Sequence, residues 1–219
     1  MEQAADELVI GIWSDVLCPF CYIGKRELEG ALAEFEHRDK VRLEWRSFEQ
    51  DPHAAKGGEQ DTNAMLAERY GISHTEAVQR IQGVVQRAAT VGLAFRMDLA
   101  KPTNSFDAHR LLQLAKQQGL GDAMKERLLH AYFAEGLHIA DHGVLEELAA
   151  EVGLEAAPVT ALWRSDHLAD EVRNDEYEAR RIGVQGVPFF VLDGRLAVRG
   201  AQARATFLAA LRQAWDTRG

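Results

Sequence analysis

The stretch WSDVLCPFCYIGKRELEGAL, residues 13–32, decides the fold. It holds Cys18 and Cys21, the only two cysteines of a 219-residue chain. On its N-terminal side, ELVIGIWSD (residues 7–15) is a short apolar run that stops at Asp15 and reads as a buried strand. On its C-terminal side, Leu28, Leu32 and Phe35 recur at helical spacing with charges between them. The helix mouth therefore falls on the cysteines. Cys18 takes the N-cap position, and Pro19 takes N1, where its missing N–H costs nothing and its fixed φ suits the helix. Phe20 is then N2 and Cys21 is N3.

This register carries chemistry. A sulfur at the N-cap faces unpaired N–H groups of the first turn, which together with the helix dipole favour a thiolate. Residues three apart on a helix are neighbours, and a small adjustment brings them to disulfide distance. The expected arrangement is an exposed nucleophile at Cys18 and a resolving thiol at Cys21. Three readings of the pair stand side by side: half a zinc site, a structural disulfide or inert buried thiols, and a redox dithiol. Zinc needs about four ligands, and neither a second cysteine pair nor a suitably spaced histidine pair exists. The strand-to-helix setting favours the dithiol.

Working outward, VRLEWRSF (residues 41–48) alternates Val41, Leu43 and Trp45 with Arg42, Glu44 and Arg46, a strand signature. The chain thus opens β–α–β, an order that favours parallel pairing. The polar, Gly-rich residues 51–61 read as a boundary. Helical patterns follow without strand signals, with Asp141 as an N-cap, Gly119 and Gly153 as terminators and Pro158 in a first turn. Strands return in VPFFVLDGRLAVRG, a hairpin turning at Asp193–Gly194. A last helix carries Phe207, Leu208, Leu211 and Trp215 on one face. The fold class is α/β: a β–α–β … β–β–α sheet unit split by a large all-helical insertion. The expected division is residues 1–60, the first part of the sheet domain; 61–165, the insertion; and 166–219, the second part.

The composition is 47% hydrophobic and 27% charged, which implies a buried core rather than disorder. Formal charge is −9, a poor match for nucleic acid. No apolar run approaches the roughly 20 residues of a membrane span. The opening MEQAADEL has no basic segment of a secretory signal. A cytoplasmic protein without membrane or nucleic-acid partners is expected.

A second site element is GVQGVPFFVLDG. Pro188 directly precedes a strand, as a proline unable to donate to a ladder must. The sharper reading is a cis Val187–Pro188 bond, with the Val187 backbone facing the redox cysteine and an extended substrate. Asp15 is either a turn residue or a proton acceptor near Cys21. Asn104 is either an N-cap or, with His109, part of a helix end lining the cleft. His138 and His142 are four apart, but the Asp141 cap and Gly143 argue against a metal pair. Phe189, Phe190, Phe207 and Trp215 read as core.

These residues resemble the DsbA-like branch of the thioredoxin superfamily. Within it, SDVLCPFCYIGKR, NSFDAHRLLQLAKQQGL, AYFAEGLHIAD and GVQGVPFFVLDGRLAVRGAQ look like the FrnE-type subfamily, itself similar to 2-hydroxychromene-2-carboxylate isomerases and kappa-class glutathione transferases. The resemblance implies a thioredoxin-like fold, with Cys18 attacking, Cys21 resolving, and Val187 and Pro188 forming a cis-proline loop. It implies a thiol–disulfide oxidoreductase that reduces or isomerises disulfides of protein or small-thiol substrates. The alternative is a glutathione-dependent isomerase or kappa-like transferase using the same cleft. Those relatives tend to carry serine where Cys18 stands, so the complete pair argues for dithiol chemistry. Some FrnE-type proteins carry a second cysteine pair, absent here. No tightly bound cofactor is expected; glutathione is a candidate co-substrate, a cellular thiol the reductant, and the protein a monomer or homodimer. Oxidising relatives often place histidine between the cysteines. Phe20 offers neither charge nor donor, so a couple less oxidising than about −120 mV is expected.

Overall fold

The computed structural model describes residues 7–57 and 61–218. Strands β1 (Leu8–Ser14), β2 (Val41–Ser47), β3 (Phe189–Leu192) and β4 (Leu196–Arg199) form one sheet in the order β2-β1-β3-β4. The β1–β2 pair is parallel, from Leu8 opposite Val41 to Ser14 opposite Ser47. β3 runs antiparallel to both β1 and β4. Helix α1 (Pro19–Glu34) joins the parallel pair, and α9 (Arg204–Asp216) follows the hairpin. This is the expected β–α–β and β–β–α arrangement, a thioredoxin-like sheet unit interrupted by helices. Between the halves run α2 (Thr62–Tyr70), α3 (His74–Ala89), α4 (Phe106–Gln117), α5 (Gly121–His130), α6 (His142–Glu151), α7 (Ala156–Trp163) and α8 (Ala169–Arg181).

Local chemistry accounts for several ends. Asp193 and Gly194 both have positive φ, and the Arg195 N–H bonds the Leu192 carbonyl, closing the hairpin turn. Asp141 caps α6 by accepting from the Val144 N–H. The helix that begins at Gly121 widens after His130 into a π turn over Ala131–Glu135. The wider turn accompanies burial of two adjacent rings, Tyr132 and Phe133, the latter stacked on Phe95 at 4.7 Å.

Leu8, Ile10 and Ile12 of β1 join Trp45, Phe190, Leu28, Phe207 and Leu211 in one apolar core beneath α1 and α9. Each such side chain contributes about 1.5–3 kcal/mol on burial. The expected burial of β1 holds at five of its seven residues. Val9 and Gly11 are only partly covered, because the second sheet face is capped at its Trp13 end alone. There the Trp13 indole donates to the Asp175 carbonyl of α8 at 2.8 Å, and Phe189 meets it edge-on. The rest of that face is an open cleft of about 600 Å³ floored by Val9, Gly11 and Val191.

The expected boundary at residue 60 lies outside the described residues. Helices α5 and α8 both pack on β2, and α8 also packs on α4, so helices from the middle of the chain cover the sheet's β2 edge. Phe189, Phe190 and Phe207 are buried as expected, while Trp215 is half-buried and stacks on His37 at 4.1 Å.

Candidate active site

The helix mouth has the predicted register. Cys18 is extended at the N-cap, Pro19 begins α1, and Cys21 donates its backbone N–H to the Cys18 carbonyl at 3.0 Å. Both cysteines are free thiols. The Val187–Pro188 bond is cis, and the Cys18 thiol donates to the Val187 carbonyl at 3.5 Å. The close approach requires Gly24 on α1. A Cβ there would stand 3.0 Å from Pro188 Cγ and 3.2 Å from Phe190 Cζ, inside ordinary carbon contact.

Two expectations for Cys18 are corrected. It is not exposed: 1% of its surface is open, whereas Phe20 beside it is 45% exposed. Nor does its sulfur cap the first turn; no side-chain capping bond forms, because the thiol turns to Val187 instead.

The thiolate charge is also placed differently. The Cys18 thiol is held well above its ordinary value by its hydrogen bond with Cys21, then by burial and by the charges of Cys21 and Asp15, against the Cys21 N–H. Burial pushes Cys21 up too. The bond from Cys18, the Lys125 charge, the Ser14 hydroxyl and the Asp15 N–H outweigh burial and leave Cys21 lowered. The two thiols titrate as a pair, losing one proton early and the other late. In the reduced pair the charge lies toward Cys21, because the favourable groups gather on that side.

Asp15 is fully buried and serves the turn. Its carboxylate accepts from the Leu17 N–H at 3.3 Å and the Gln50 N–H at 2.8 Å, and pairs with His109 Nε2 at 3.3 Å. Burial raises its pKa, but the His109 bond and charge, the Gln50 N–H and Lys125 hold it below the usual value. It is therefore a poor proton acceptor.

Placing His109 and Asn104 among substrate-binding residues also needs correction. His109 is 0% exposed behind Asp15. Asn104 is buried, accepting from the Phe106 N–H at 2.9 Å and donating to Glu49 and the Pro52 carbonyl. Ser105, not Asn104, occupies the N-cap position of α4. Both side chains stiffen the wall behind the site. His142 is bound to Asp107 at 2.9 Å and stacked on Trp163.

Cys18 lies at one end of a cavity of about 700 Å³. Pro19, Phe20, Met65, Leu66, Ile81 and Val84 make most of it apolar, and Arg69, Arg80 and Arg87 bring charge. The walls come mainly from α2, α3 and the loops before and after them. Neither Val187 nor Pro188 lines it.

Sequence reading did not single out α2 and α3 as cavity walls, nor Ser14, Tyr132 or Lys125. Lys125 has a detectable signal: it is a charged residue among the buried positions Gly121, Met124, Leu128 and Leu129 of α5.

Residues 9–212 match the DSBA-like thioredoxin domain family. The uncharacterised protein YwbO of Bacillus subtilis is 26% identical over 200 residues, 90% of this chain and 92% of that protein. A probable DsbA oxidoreductase from Streptomyces coelicolor is 43% identical with a TM-score of 0.93, covering 97% of this chain and 92% of its own. The cytosolic disulfide reductase DsbM from Pseudomonas aeruginosa, also solved with GSH, has a TM-score of 0.68 at 22% identity, covering 95% and 98%. The chain belongs to the DsbA-like thioredoxin domain family and is an oxidoreductase enzyme.

Proposed function

We propose that the protein is a FrnE-type thiol–disulfide oxidoreductase that reduces or isomerises disulfides through Cys18 and Cys21. The observation that carries this reading is the pair of free thiols three residues apart at a helix mouth, with the Cys18 thiol against the cis-proline loop and among the residues lining the cavity. Cys18 is the sulfur that an entering disulfide meets. Its proton passes to Cys21 across their mutual bond, leaving the charge on Cys18 for attack. A Cys18–substrate disulfide forms and one substrate thiol departs. Cys21 then displaces the second, so that the substrate gains two electrons and the dithiol closes to a disulfide.

Because Cys18 is buried, the substrate disulfide must enter the cavity. This favours small-molecule or extended-chain disulfides over those held on a folded surface. A cellular thiol regenerates the dithiol, with glutathione as the proposed co-substrate and the cytoplasm as the compartment.

The test is a disulfide-reduction assay with trapping. Cys21→Ser accumulates mixed disulfides with substrate, and Cys18→Ser does not. Full activity in both variants would end the dithiol reading. Thioether formation with glutathione by the wild type would instead support the transferase alternative.

A further inference from the structure

Lys125 transfers no proton in the steps above, yet it sits where a lysine is costly. Its residue is 0% exposed, and among the described residues it forms no ion pair with a carboxylate. Nζ donates one hydrogen bond, to the Ser14 carbonyl at 3.3 Å, and lies 5.5 Å from the centre of the Trp45 ring. Buried ammonium groups with so little compensation are rare, because burial without a counter-charge is unfavourable. Ser14 ends β1 immediately behind the dithiol. Its hydroxyl is buried with no conventional hydrogen-bond partner and favours the thiolate of Cys21. Ser14 thus accepts from the amine through its carbonyl, while its unpartnered buried hydroxyl favours a thiolate at Cys21.

We propose that Lys125 accepts the proton of Cys21 when the mixed disulfide at Cys18 is resolved. The inference rests on the dithiol reading. The Cys21 S–H bond breaks and an N–H bond forms on Lys125 Nζ. The Cys21 thiolate attacks Cys18 Sγ, and the Cys18–substrate bond breaks as the Cys18–Cys21 bond forms. The leaving substrate sulfur keeps the electron pair, departs as a thiolate and takes its proton from bulk solvent.

The groups facing Lys125 explain the timing. They are Cys21 and Lys25 from α1, Cys18 at its N-cap, Asp15 from the loop after β1, and the Trp45 ring from β2. Burial lowers the amine to about 8; the charges of Cys21, Asp15 and Cys18 oppose that fall, and Lys25 adds to it. In the reduced enzyme the ammonium supports the shared thiolate. Once Cys18 is bonded to substrate, that anionic support is gone and burial acts with less opposition. The amine then loses its proton more readily, at the stage when Cys21 must lose its own. A base titrating near working pH is the effective one. Asp15, held below the ordinary carboxylate value, is not.

The experiment is single-turnover reaction of the reduced full chain with an aromatic disulfide whose thiol absorbs visible light. One thiol is released on attack by Cys18 and the second on resolution by Cys21. Lys125→Met should slow the second phase at pH 7 about tenfold more than it slows the first, and move the second phase's pH midpoint up by about one unit. Lys125→Arg, a cation that cannot take a proton, should stay as slow as Lys125→Met. A second phase with wild-type rate and midpoint in Lys125→Met overturns the inference, as does a wild-type rate in Lys125→Arg. Lys125→Met should melt no lower than wild type, since an unpaired buried cation is replaced by an apolar chain of similar length. If it fails to fold, Lys125→Gln carries the same test. A second phase that persists in Cys21→Ser defeats the dithiol reading itself, separately from the role of Lys125.

Discussion

Gly24 joins the two halves of the site, and adding to it should separate activity from stability. A Cβ at this position would lie 3.0 Å from Pro188 Cγ, 3.2 Å from Phe190 Cζ and 3.6 Å from the Ala201 Cα. Comfortable carbon contacts are about 3.5–4.0 Å, so Gly24→Ala makes Pro188 withdraw by about half an ångström. Overpacking of this kind costs about 1–3 kcal/mol. Alanine gains about 1 kcal/mol over glycine inside a helix. The net loss for Gly24→Ala is therefore about 0–2 kcal/mol, or a few degrees of melting temperature. Gly24→Val adds two methyl groups against the same proline, with less propensity gain, and should lose about 3 kcal/mol.

Activity should fall further than stability. The Cys18–Val187 contact is 3.5 Å, already at the long end of a hydrogen bond, and half an ångström breaks it. If the Val187 backbone aligns substrate with Cys18, misplacement approaching 1 Å costs up to about 100-fold in rate. The assay compares disulfide-reduction rate, melting temperature and alkylation of the cysteines by a small reagent. Gly24→Ala should reduce disulfides at least about tenfold more slowly, with little loss of melting temperature and unchanged alkylation. Wild-type reduction rates in Gly24→Ala, or a Gly24→Val protein as stable as wild type, would refute the argument.

Further outcomes follow from other sites. Asp107 accepts from Lys56 at 2.6 Å, Arg110 at 3.0 Å and His142 at 2.9 Å. Burial raises its carboxyl, but those three bonds outweigh it and lower the pKa from 3.8 to about 2. A depressed acid stabilises the fold above its unfolded value and loses that contribution as pH falls from about 3.8 toward 2, here about 2 kcal/mol. Urea titration should show Asp107→Asn less stable than wild type at pH 6, with the gap shrinking by about that amount at pH 2; a gap independent of pH contradicts this. Phe20→His should make the dithiol more oxidising, by about 30 mV for each tenfold shift in its equilibrium. Equilibration against glutathione buffers measures it, and an unchanged or more reducing couple counts against a role for Phe20.

The amino-acid order determined those features whose causes are local. Pro19 can start a helix but not continue one from before, so it sets Cys18 at the N-cap and Cys21 at N3. Pro188 cannot join a ladder, so it stands just before β3, and Asp193–Gly194 supplies the positive φ of the turn. Alternation and helical spacing likewise placed the sheet halves on either side of the helices. The tertiary structure decided everything that depends on what is brought up from afar. Cys18 reads as exposed from its helix position, but Val187, 169 residues away, covers its sulfur. Asn104 and His109 read as cleft residues, but their helix start turns them inward onto Asp15 and Glu49. Lys125 reaches Ser14 across 111 residues and helps draw the thiolate charge toward Cys21. Capping and turn preferences act over a few bonds and are written in adjacent residues. Burial and charge act through space, and their sign at a sulfur depends on partners that sequence spacing does not disclose.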